Sequence, residues 1–557
     1  MKNVNKKILS CSSVHLNGAL GKALQNTIEN RLKKINYTEL VDPFRFRNET
    51  DYKWRCEFWG KTIRPAMLAW KYTQDDELLA IIKATVKDII STQTPDGCIS
   101  SYPADKQLDG WDLWGRKYVL AGLLRYYEVI EKSPEVLNVC CKMTDHMFRQ
   151  LGSRNIADYG QHFGLPSASI LKYIVKLYKY SGKNEYLEYA RTIITAGATH
   201  LHNIFEDAAD DVLPAELANG KAYEMTSCFE GLAEYYNLFP EDKHLQAVLK
   251  YYANVRDNEI YITGTGGFKD FNGEFWYNGA LRQTWLHGGS MGETCVTTTW
   301  LHYCQYILEL TADSTIADEM ELSAYNALLG AMKVDGTNWI HRNPTPLAAP
   351  SSKKVSIPQM ADFGDYDCCL AQGPEGLATA VNNAFSAKDK LFVNFYEDAQ
   401  VDFSVKNCNI SMILSGNYPS NNRVKIKFTA DSKADFTLAL RIPAWSENTV
   451  VKLNGKTFTP EKGKYFEIEQ QWSSESEIEI IFDMKLQKVS APGNENFHAF
   501  KYGPLVLAHD SRNAEVLRSK SLFMTETDGM NFCDYATSGN EFSPDNTLQV
   551  WFTKKLE

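Results

Sequence analysis

The sequence predicts a multidomain α+β protein in which an (α/α)6 toroid of paired helices is followed by antiparallel β-sandwich structure. The first observation is the length of 557 residues, which is too great for one hydrophobic core. The second is a change in the spacing of apolar residues near position 385, from a helical to a strand-like period. These observations predict three units, over residues 1–385, 386–510 and 511–557.

The first unit carries the helical period. Apolar residues recur at i, i+3, i+4 and i+7 in segments such as "RPAMLAWKYTQDDELLAIIKATVKDIISTQ" and "KHLQAVLKYYANVRD". Short polar turns such as "FPEDK" and "TADST" separate these segments, which is typical of successive helical hairpins. Roughly ten to twelve such helices suit a toroid of helix pairs. No sequence motif repeats along them, so the repeat is structural only.

The second half alternates apolar and polar residues with a period of two. The pattern is clear in "RVKIKFTA", "DFTLALRIPAW" and "SEIEIIFDM", and Asn454-Gly455 is a hairpin turn signal. This pattern predicts an antiparallel β-sandwich over residues 386–510. The remaining residues, 511–557, are interpreted as a small C-terminal β extension.

Composition and charge exclude some classes of protein. A content of 44% hydrophobic and 23% charged residues is that of a globular protein, and no apolar stretch is long enough to span a membrane. The net charge of −10 argues against nucleic acid or an anionic membrane as partner, because both require a basic surface. The start, "MKNVNKKILSCSS", has no apolar run of signal-peptide length, so we expect a cytoplasmic protein or a trimmed periplasmic form. The sequence carries no signal for the oligomeric state.

Four residues in two short motifs offer metal-binding chemistry. Glu293 and Cys295 are two apart at a predicted helix start in "GGSMGETCVTTTW", and Cys368 and Cys369 are adjacent in "GDYDCCLAQG", which we interpret as a loop. An adjacent pair does not readily form a disulfide with itself. Three sulfurs and a carboxylate suit a soft tetrahedral ion, with zinc as the default. On these residues alone, a plain packing role for the same cysteines stays open.

The two motifs together resemble the β-L-arabinofuranosidase family of glycoside hydrolases. The segments that carry the resemblance are "GETCVTTTWLHYCQYILELTADSTIADEMELSAYNALLGAM" and "DYDCCLAQGPEGLA". Four more segments resemble the family, namely "QTPDGCISSY", "YITGTGGF", "LALRIPAW" and "YGPLVLA". The resemblance therefore extends over roughly residues 15–510, and it implies a zinc-dependent retaining glycosidase with a cysteine nucleophile.

The resemblance also implies roles for individual residues. Zinc would be bound by Glu293, Cys295, Cys368 and Cys369, with Cys368 as the nucleophile. Glu274 in "NGEFWYNG" matches the general acid/base. A retaining glycosidase needs these two groups on opposite faces of the anomeric carbon, so that one attacks the sugar while the other protonates the leaving oxygen.

Sugar contacts form the third predicted set. Glu321 in "DEMELSAYNALL" matches a family residue that contacts the sugar. We add the polar and aromatic residues that fall in segments bordering the predicted pocket, namely His162, Tyr223, Glu224, Trp276 and His341.

The chain departs from the family pattern, which indicates a divergent branch. Glu274 lies more residues ahead of Glu293 than the family spacing implies, and its "GEFW" context differs. Three sugar-contacting histidines of the family are replaced here, by Leu123, by residues within 165–167 and by Tyr223 or Glu224. The predicted pocket therefore holds a different sugar, or holds the same sugar differently.

The sequence thus predicts a retaining exo-glycoside hydrolase that removes a terminal L-arabinofuranose, or a related plant cell-wall sugar, from an oligosaccharide. One alternative keeps the toroid but makes zinc structural, with carboxylates such as Glu274, Glu321 and Glu224 doing the chemistry. Another is a non-catalytic carbohydrate-binding relative. A thiol-redox role is remote, because the cysteine pair is not a C-x-x-C motif.

Overall fold

The structure is a computed structural model that describes residues 9–49, 54–267, 273–284, 290–345, 366–405, 408–512, 514–527, 529–540 and 548–553. Among these residues, no helix is both long enough and apolar enough to cross a membrane.

Helices dominate the first part of the chain, up to residue 382. The described residues of this part form α1 (Ala19–Thr27), α2 (Tyr37–Phe46), α3 (Phe58–Thr73), α4 (Asp76–Ser91), α5 (Asp112–Val129), α6 (Pro134–Leu151), α7 (Leu165–Ala168), α8 (Leu171–Ser181), α9 (Asn184–Ala196), α10 (Ile204–Ala209), α11 (Ala222–Leu238), α12 (Asp242–Asn258), α13 (Gly279–Arg282), α14 (Thr294–Thr311), α15 (Ser314–Ser323), α16 (Leu329–Ala331) and α17 (Cys368–Asn382).

Six of these helices close into an inner ring. In ring order they are α3, α5, α8, α11, α14 and α17, and α17 packs back against α3. Each inner helix also packs against an outer one, in the pairs α3–α4, α5–α6, α8–α9, α11–α12, α14–α15 and α17–α1. This double ring confirms the predicted (α/α)6 toroid.

Inner helices such as α5 and α14 are buried on every side over most of their length. On α5 each residue from Asp112 to Leu124 is buried, and α14 is buried without a break from Thr294 to Cys304. A helix that is apolar all round its surface belongs in a protein interior. Gly60 permits close packing within the ring, because a Cβ there would lie 2.1 Å from the carbonyl oxygen of Tyr118 on α5.

Strands dominate the rest of the chain. The described strands are β1 (Leu9–Leu16), β2 (Ser290–Glu293), β3 (Arg342–Thr345), β4 (Phe385–Ala387), β5 (Leu391–Val393), β6 (Ala399–Val405), β7 (Cys408–Ser415), β8 (Arg423–Ala430), β9 (Ala434–Ile442), β10 (Val450–Leu453), β11 (Lys456–Phe458), β12 (Lys464–Trp472), β13 (Glu477–Ile481), β14 (Leu486–Ala491), β15 (Asn494–Tyr502), β16 (Leu505–Asp510), β17 (Met524–Thr527), β18 (Met530–Asp534), β19 (Leu548–Gln549) and β20 (Phe552–Thr553). Two short helices accompany the last strands, α18 (Ala514–Lys520) and α19 (Tyr535–Asn540).

Two sheets face each other as a sandwich. One has the order β1-β6-β7-β8-β13-β10-β11 and the other the order β12-β9-β5-β4. Rings meet between the sheets, with Phe403 5.3 Å from Phe436 and Phe428 4.7 Å from Trp472 between centroids. All these pairings are antiparallel except β5 with β9, which is parallel. The predicted β-rich second half is therefore confirmed.

Two pairings cut across the simple order of units along the chain. Strand β1, at the start of the chain, pairs with β6, so that Leu16 lies opposite Ala399. A third sheet, β14-β15-β16-β18-β17, joins strands on both sides of residue 510, with β19 on β16 and β20 on β15. Strand partners are set by long-range contacts that the local period does not reveal, so the boundaries at 385 and 510 stay predictions.

A buried ion cluster joins the toroid to the sandwich. Arg441 on β9 donates to Glu321 of α15 over 2.7 Å and is also paired with Asp318 of the same helix. Tyr418 donates its hydroxyl proton to Glu321 over 2.7 Å. Arg441 and Glu321 are both fully buried, so this contact fixes the two layers relative to each other.

Candidate active site and metal centre

A cavity of about 230 Å³ opens at the N-terminal ends of the inner helices. Most of its lining residues come from the first turns of α3, α5, α11, α14 and α17 or from the segments that lead into them, and Glu274 comes from the connection between α12 and α13. The lining residues are Trp54, Glu57, Phe58, Lys61, Trp111, Trp114, Lys221, Tyr223, Glu224, Glu274, Glu293, Cys295, Tyr366 and Cys368. Helix N-termini carry a partial positive charge, which stabilises carboxylates and thiolates at this end of the toroid.

The two cysteine-containing motifs meet at one wall of the cavity. The Cys369 sulfur lies 3.4 Å from the Cys295 sulfur and 3.6 Å from Glu293 Oε1. The Cys368 sulfur lies 3.9 Å from both Glu293 Oε1 and the Cys369 sulfur. The four residues predicted to bind zinc therefore lie together, although 75 residues separate Glu293 from Cys368 in the sequence.

Helix starts position all three sulfurs. Cys368 and Cys369 are the first two residues of α17, and Asp367 caps that helix by accepting a hydrogen bond from the Leu370 amide over 2.8 Å. The expectation that the pair lies in a loop is therefore wrong. Cys295 is the second residue of α14, directly after β2, which ends at Glu293.

His341 is a further donor in this cluster. Its Nδ1 lies 3.8 Å from the Cys368 sulfur and its Nε2 3.7 Å from Glu293 Oε1. One donor atom each from Glu293, His341, Cys368 and Cys369 lie within 4.8 Å of one another, a grouping that suits a metal ion. This set of four includes His341 and leaves out Cys295, which the sequence predicted as the fourth ligand.

The donor types fit a zinc ion. Sulfur, imidazole nitrogen and carboxylate oxygen are the usual zinc ligands. Glu293 is 2% exposed, and its Oε2 has no hydrogen-bond partner among the described residues. A buried carboxylate oxygen without a partner is costly, and a cation at this point would satisfy it.

The three thiols differ in acidity. Hydrogen bonds from Cys295 and Cys369 hold the pKa of Cys368 well below its usual value, and His341 acts in the same direction. Burial raises the pKa of both Cys295 and Cys369. Although burial opposes it, the Cys368 thiolate raises the pKa of His341 to about 10, with help from Glu293 and Asp367. Negative charge in the cluster therefore concentrates on the Cys368 sulfur.

Glu274 lies on the cavity wall in an ion pair. Its carboxylate contacts the Lys221 ammonium, which lies 3.8 Å from Glu224 Oε1. Backbone hydrogen bonds hold the two segments together, from the Ala222 amide to the Glu274 carbonyl over 2.9 Å and from the Trp276 amide to the Gly220 carbonyl over 2.7 Å. Glu274 is therefore fixed relative to the start of α11.

Glu224 is the more enclosed of these two carboxylates. Its side chain is 5% exposed, against 31% for Glu274. Burial raises the pKa of Glu224, although Lys221 opposes this effect. Its Oε2 has no hydrogen-bond partner within the described part of the chain, so this oxygen is available to a ligand in the cavity.

Aromatic rings and a second ion pair complete the wall. Lys61 on α3 lies 3.3 Å from Glu57 Oε1 and 4.9 Å from the centroid of the Tyr223 ring. The Trp114 indole N–H donates to Glu57, and Trp111 meets Trp114 edge-on at 6.0 Å. Flat apolar rings beside charged hydrogen-bonding groups match the two kinds of surface on a sugar.

Sequence reasoning missed Glu57, Lys61 and Lys221. A signal existed for Lys61, which lies in the largely apolar segment "FWGKTIRPAM" at the start of α3. Lys221 directly precedes α11, and nothing in its neighbours predicts the contact with Glu274, 53 residues away.

Four predicted sugar contacts do not line the cavity, namely Glu321, Trp276, His162 and His341, the last of which faces the sulfur cluster. Glu321 is fully buried against Arg441 and Tyr418, because α15 lies in the outer ring beside the sandwich. Trp276 is 2% exposed and donates its indole N–H to Tyr251 over 3.0 Å. His162 lies behind the rings of Trp111 and Phe275, at 5.9 and 5.7 Å between centroids. Burial and nearby Lys221 lower the pKa of His162 to about 4.

Family models match most of the chain. The model described as the GH127 β-L-arabinofuranosidase catalytic domain matches residues 10–382, and the model of the GH127 middle domain matches residues 390–484. The first range spans the toroid with β1, and the second contains most of the sandwich.

Individual proteins resemble the chain at low identity. A non-reducing end β-L-arabinofuranosidase from Bifidobacterium longum subsp. longum is 22% identical over 470 residues, which cover 76% of this chain and 69% of the relative.

Two solved structures share the fold. A GH127 β-L-arabinofuranosidase from Geobacillus stearothermophilus T6 has a TM-score of 0.74 at 18% identity, covering 97% of this chain and all of its own. A GH127 β-arabinofuranosidase has a TM-score of 0.77 at 18% identity, covering 98% of both chains. Together with the match over residues 10–382, these findings show that the chain belongs to the GH127 β-L-arabinofuranosidase family and is a glycoside hydrolase.

Proposed function

We propose that the protein is a retaining exo-glycoside hydrolase that removes a terminal L-arabinofuranose, or a related plant cell-wall sugar, from an oligosaccharide. The nucleophile is the Cys368 thiolate and the general acid/base is Glu274. The observation that carries this proposal is that Cys368 and Glu274 line the same cavity while coming from segments 94 residues apart in the sequence.

The size of the cavity supports removal of a single terminal sugar. Its volume of about 230 Å³ is below the range of roughly 300–1,000 Å³ that is common for larger ligands. The named activity of the curated relative, at the non-reducing end, supports the same mode. Aromatic rings and ion pairs around the cavity offer stacking and hydrogen bonds to one sugar unit.

The reaction follows two displacements. The Cys368 sulfur attacks the anomeric carbon, a carbon–sulfur bond forms, and the bond to the leaving oxygen breaks as Glu274 gives that oxygen its proton. Glu274, now a carboxylate, then takes a proton from water. The resulting hydroxide attacks the same carbon, the carbon–sulfur bond breaks, and Cys368 is a thiolate again. Two inversions at one carbon give net retention.

Glu293, Cys295, Cys368 and Cys369 are the proposed zinc ligands. Zinc, when bound, keeps coordinating thiols deprotonated at neutral pH. Two features of the protein already favour the thiolate form of Cys368. It lies at the N-terminus of α17, and its sulfur is hydrogen-bonded to the neighbouring thiols. The protein's own residues and the ion therefore act in the same direction.

Two of the predicted sugar contacts, Tyr223 and Glu224, line the cavity, and both are proposed to contact the sugar. Glu57 and Lys61 also line it and are added to the proposed contacts. A buried carboxylate such as Glu224 bonds strongly to sugar hydroxyls. The alternative with carboxylate-only chemistry loses one of its residues, because Glu321 is bound to Arg441 away from the cavity.

The acid role is tested with Glu274→Gln. The variant is assayed on an aryl glycoside with a good leaving group and on a natural oligosaccharide. We expect the aryl group to be released at a near-normal rate in the first turnover, whereas the first step on the oligosaccharide slows by roughly 10²–10⁴-fold, because only the poor leaving group needs the proton. Equal losses on both substrates would contradict the assignment.

Substrate identity is tested with a panel of pectin-derived oligosaccharides and aryl furanosides. Proton NMR of the first product formed gives the anomeric configuration. Release of one terminal sugar with retained configuration supports the proposal, and inverted product would contradict it.

A further inference from the structure

His341 lies in a place for which the proposed reaction gives no role. Its side chain is 7% exposed, and its ring nitrogens face Cys368 and Glu293 at 3.8 and 3.7 Å. It is not among the residues that line the cavity, so a direct sugar contact does not explain its position. Its contacts are instead with the sulfur cluster.

The cluster holds one donor more than zinc normally uses. The candidates are Glu293, Cys295, His341, Cys368 and Cys369, whereas protein zinc sites are mostly four-coordinate. If the nucleophilic sulfur were also a zinc ligand, its bond to the ion would weaken when it bonded to carbon. A surplus donor would keep the coordination complete at that stage.

Backbone hydrogen bonds link the segment that carries His341 to the segment that carries Glu293 and Cys295. The Thr294 amide donates to the His341 carbonyl over 3.2 Å, and the Thr294 hydroxyl donates to the Ile340 carbonyl over 2.7 Å. Strand β2, which ends at Glu293, pairs with β3, which begins at residue 342. His341, Glu293 and Cys295 therefore belong to one hydrogen-bonded unit.

Cys368 belongs to a different element and is more accessible. It is the first residue of α17 and is half-buried, whereas Cys369 beside it is fully buried. A small movement of the Cys368 side chain towards the cavity would leave the His341 unit in place. The geometry thus distinguishes one half-buried sulfur, that of Cys368, from four buried donors.

We propose that His341 is a reserve ligand, which takes the coordination position that the Cys368 sulfur leaves when it bonds to the sugar. This inference rests on the proposed function. Both ring nitrogens have polar neighbours: Nδ1 lies 3.9 Å from Asp367 Oδ2 and 3.8 Å from the Cys368 sulfur, and Nε2 lies 3.7 Å from Glu293 Oε1.

Zinc affinity in a double-variant series tests the proposal. The variants are Cys368→Ala, His341→Gln and the two combined, each titrated with Zn²⁺ against a chromophoric chelator. We expect Cys368→Ala to bind one Zn²⁺ per chain, because His341 fills the empty position. Adding His341→Gln then lowers the affinity by more than about tenfold. His341→Gln alone has a smaller effect, because Cys368 is still present.

Cobalt(II) gives a readout that is independent of affinity. We expect Co²⁺ bound to Cys368→Ala to keep the intense visible absorption of a four-coordinate site. In the double variant that absorption weakens. Combining Cys368→Ala with His341→Cys restores both the affinity and the absorption, because a donor returns to position 341.

Controls separate this inference from the function on which it rests. His509→Gln, in the third sheet, is the matched histidine control and leaves the affinity of Cys368→Ala unchanged. Equal Zn²⁺ affinity of Cys368→Ala and the double variant, with both folded by circular dichroism, overturns the reserve role and leaves the proposed function standing. Retained hydrolysis by Cys368→Ala overturns the proposed function, whatever the affinities.

Discussion

The chain contains two pairs of adjacent cysteines in very different surroundings. Cys140 and Cys141 lie in the middle of α6, whereas Cys368 and Cys369 open α17. Both members of the first pair are buried among apolar side chains. The second pair faces Glu293, His341 and the Cys295 thiol across less than 4 Å. The same dipeptide thus lies among apolar side chains in one helix and in a polar cluster at the start of another.

The acidities of the two pairs follow from these positions. Burial raises the pKa of Cys140 and also that of Cys141, where a hydrogen bond from Tyr186 opposes the effect. Hydrogen bonds from neighbouring thiols lower the pKa of Cys368 instead, at the positive end of a helix. Position within the helix and polar neighbours therefore decide what a cysteine pair does.

Replacing one cysteine of each pair is expected to give the largest difference, which is a difference in kcat/KM. Cys368→Ser removes the proposed nucleophile, so kcat/KM falls by roughly 10⁴-fold or more while the fold remains. Cys141→Ser, the matched control, leaves kcat/KM within about twofold. It lowers the free energy of unfolding by about 1–3 kcal/mol, because a hydroxyl enters an apolar environment. Steady-state kinetics and urea unfolding give the two quantities.

Substantial activity in folded, metal-loaded Cys368→Ser would break the comparison. The cysteine pair on α17 would then be structural like the pair on α6.

Metal removal is the next largest effect. Treatment with a chelator abolishes activity, and added Zn²⁺ restores it. At 100- to 1,000-fold excess over its dissociation constant, Zn²⁺ stabilises the wild type by about 3–4 kcal/mol. The same stabilisation persists in Cys141→Ser, because α6 contributes no ligand. A melting temperature that does not respond to Zn²⁺ in the wild type would contradict the metal site.

The pH dependence of thiol alkylation distinguishes the two cysteine pairs. In the metal-free, reduced protein, the lowered pKa of Cys368 keeps its thiolate populated as the pH falls, so iodoacetamide still reacts at pH 6. An ordinary thiol with a pKa near ~8.5 loses about 100-fold in rate between pH 8 and pH 6. Cys140 and Cys141 stay unlabelled until the protein unfolds. Peptide mass spectrometry quantifies each site, and a Cys368 rate that falls as steeply as that of free cysteine contradicts the account.

The smallest expected effect concerns the positioning of the acid. Lys221→Met removes the ammonium that contacts Glu274, and kcat on a natural oligosaccharide falls by about 10–100-fold, because the carboxyl group is no longer held in place. Lys221→Arg keeps the charge and restores most of the activity. Alkylation of Cys368 stays unchanged in both variants. A loss on the aryl glycoside as large as that on the oligosaccharide would assign Lys221 a role other than positioning the acid.

The sequence predicted the architecture because helical and strand periods are local signals. The succession of helices and the β-rich second half both follow from those periods, whereas closure of the ring depends on the long-range contact of α17 with α3. The pairing of β1 with β6 and the parallel pairing of β5 with β9 do not follow from those periods either, since partners distant in the chain determine them.

The candidate site was predictable in part. The motifs around Glu293 and Cys368 identified the sulfur cluster, and Asp367 ahead of the cysteines was an available helix-start signal that would have corrected the loop assignment. The ion pair of Glu321 was not predictable, because its partner Arg441 lies on a sandwich strand far along the chain. The position of His341 depends on the pairing of β2 with β3, which no local pattern reveals.

The central claim is that the Cys368 sulfur forms a bond to the sugar. The most direct measurement uses Glu274→Gln with an aryl glycoside whose leaving group departs without acid help. The slow second step then lets the glycosyl-enzyme accumulate, and peptide mass spectrometry locates the added sugar. The account predicts one sugar residue on the peptide that contains Cys368, and none on the peptide that contains Cys140 and Cys141. A sugar attached to a carboxylate, or inverted product with no adduct, would contradict it.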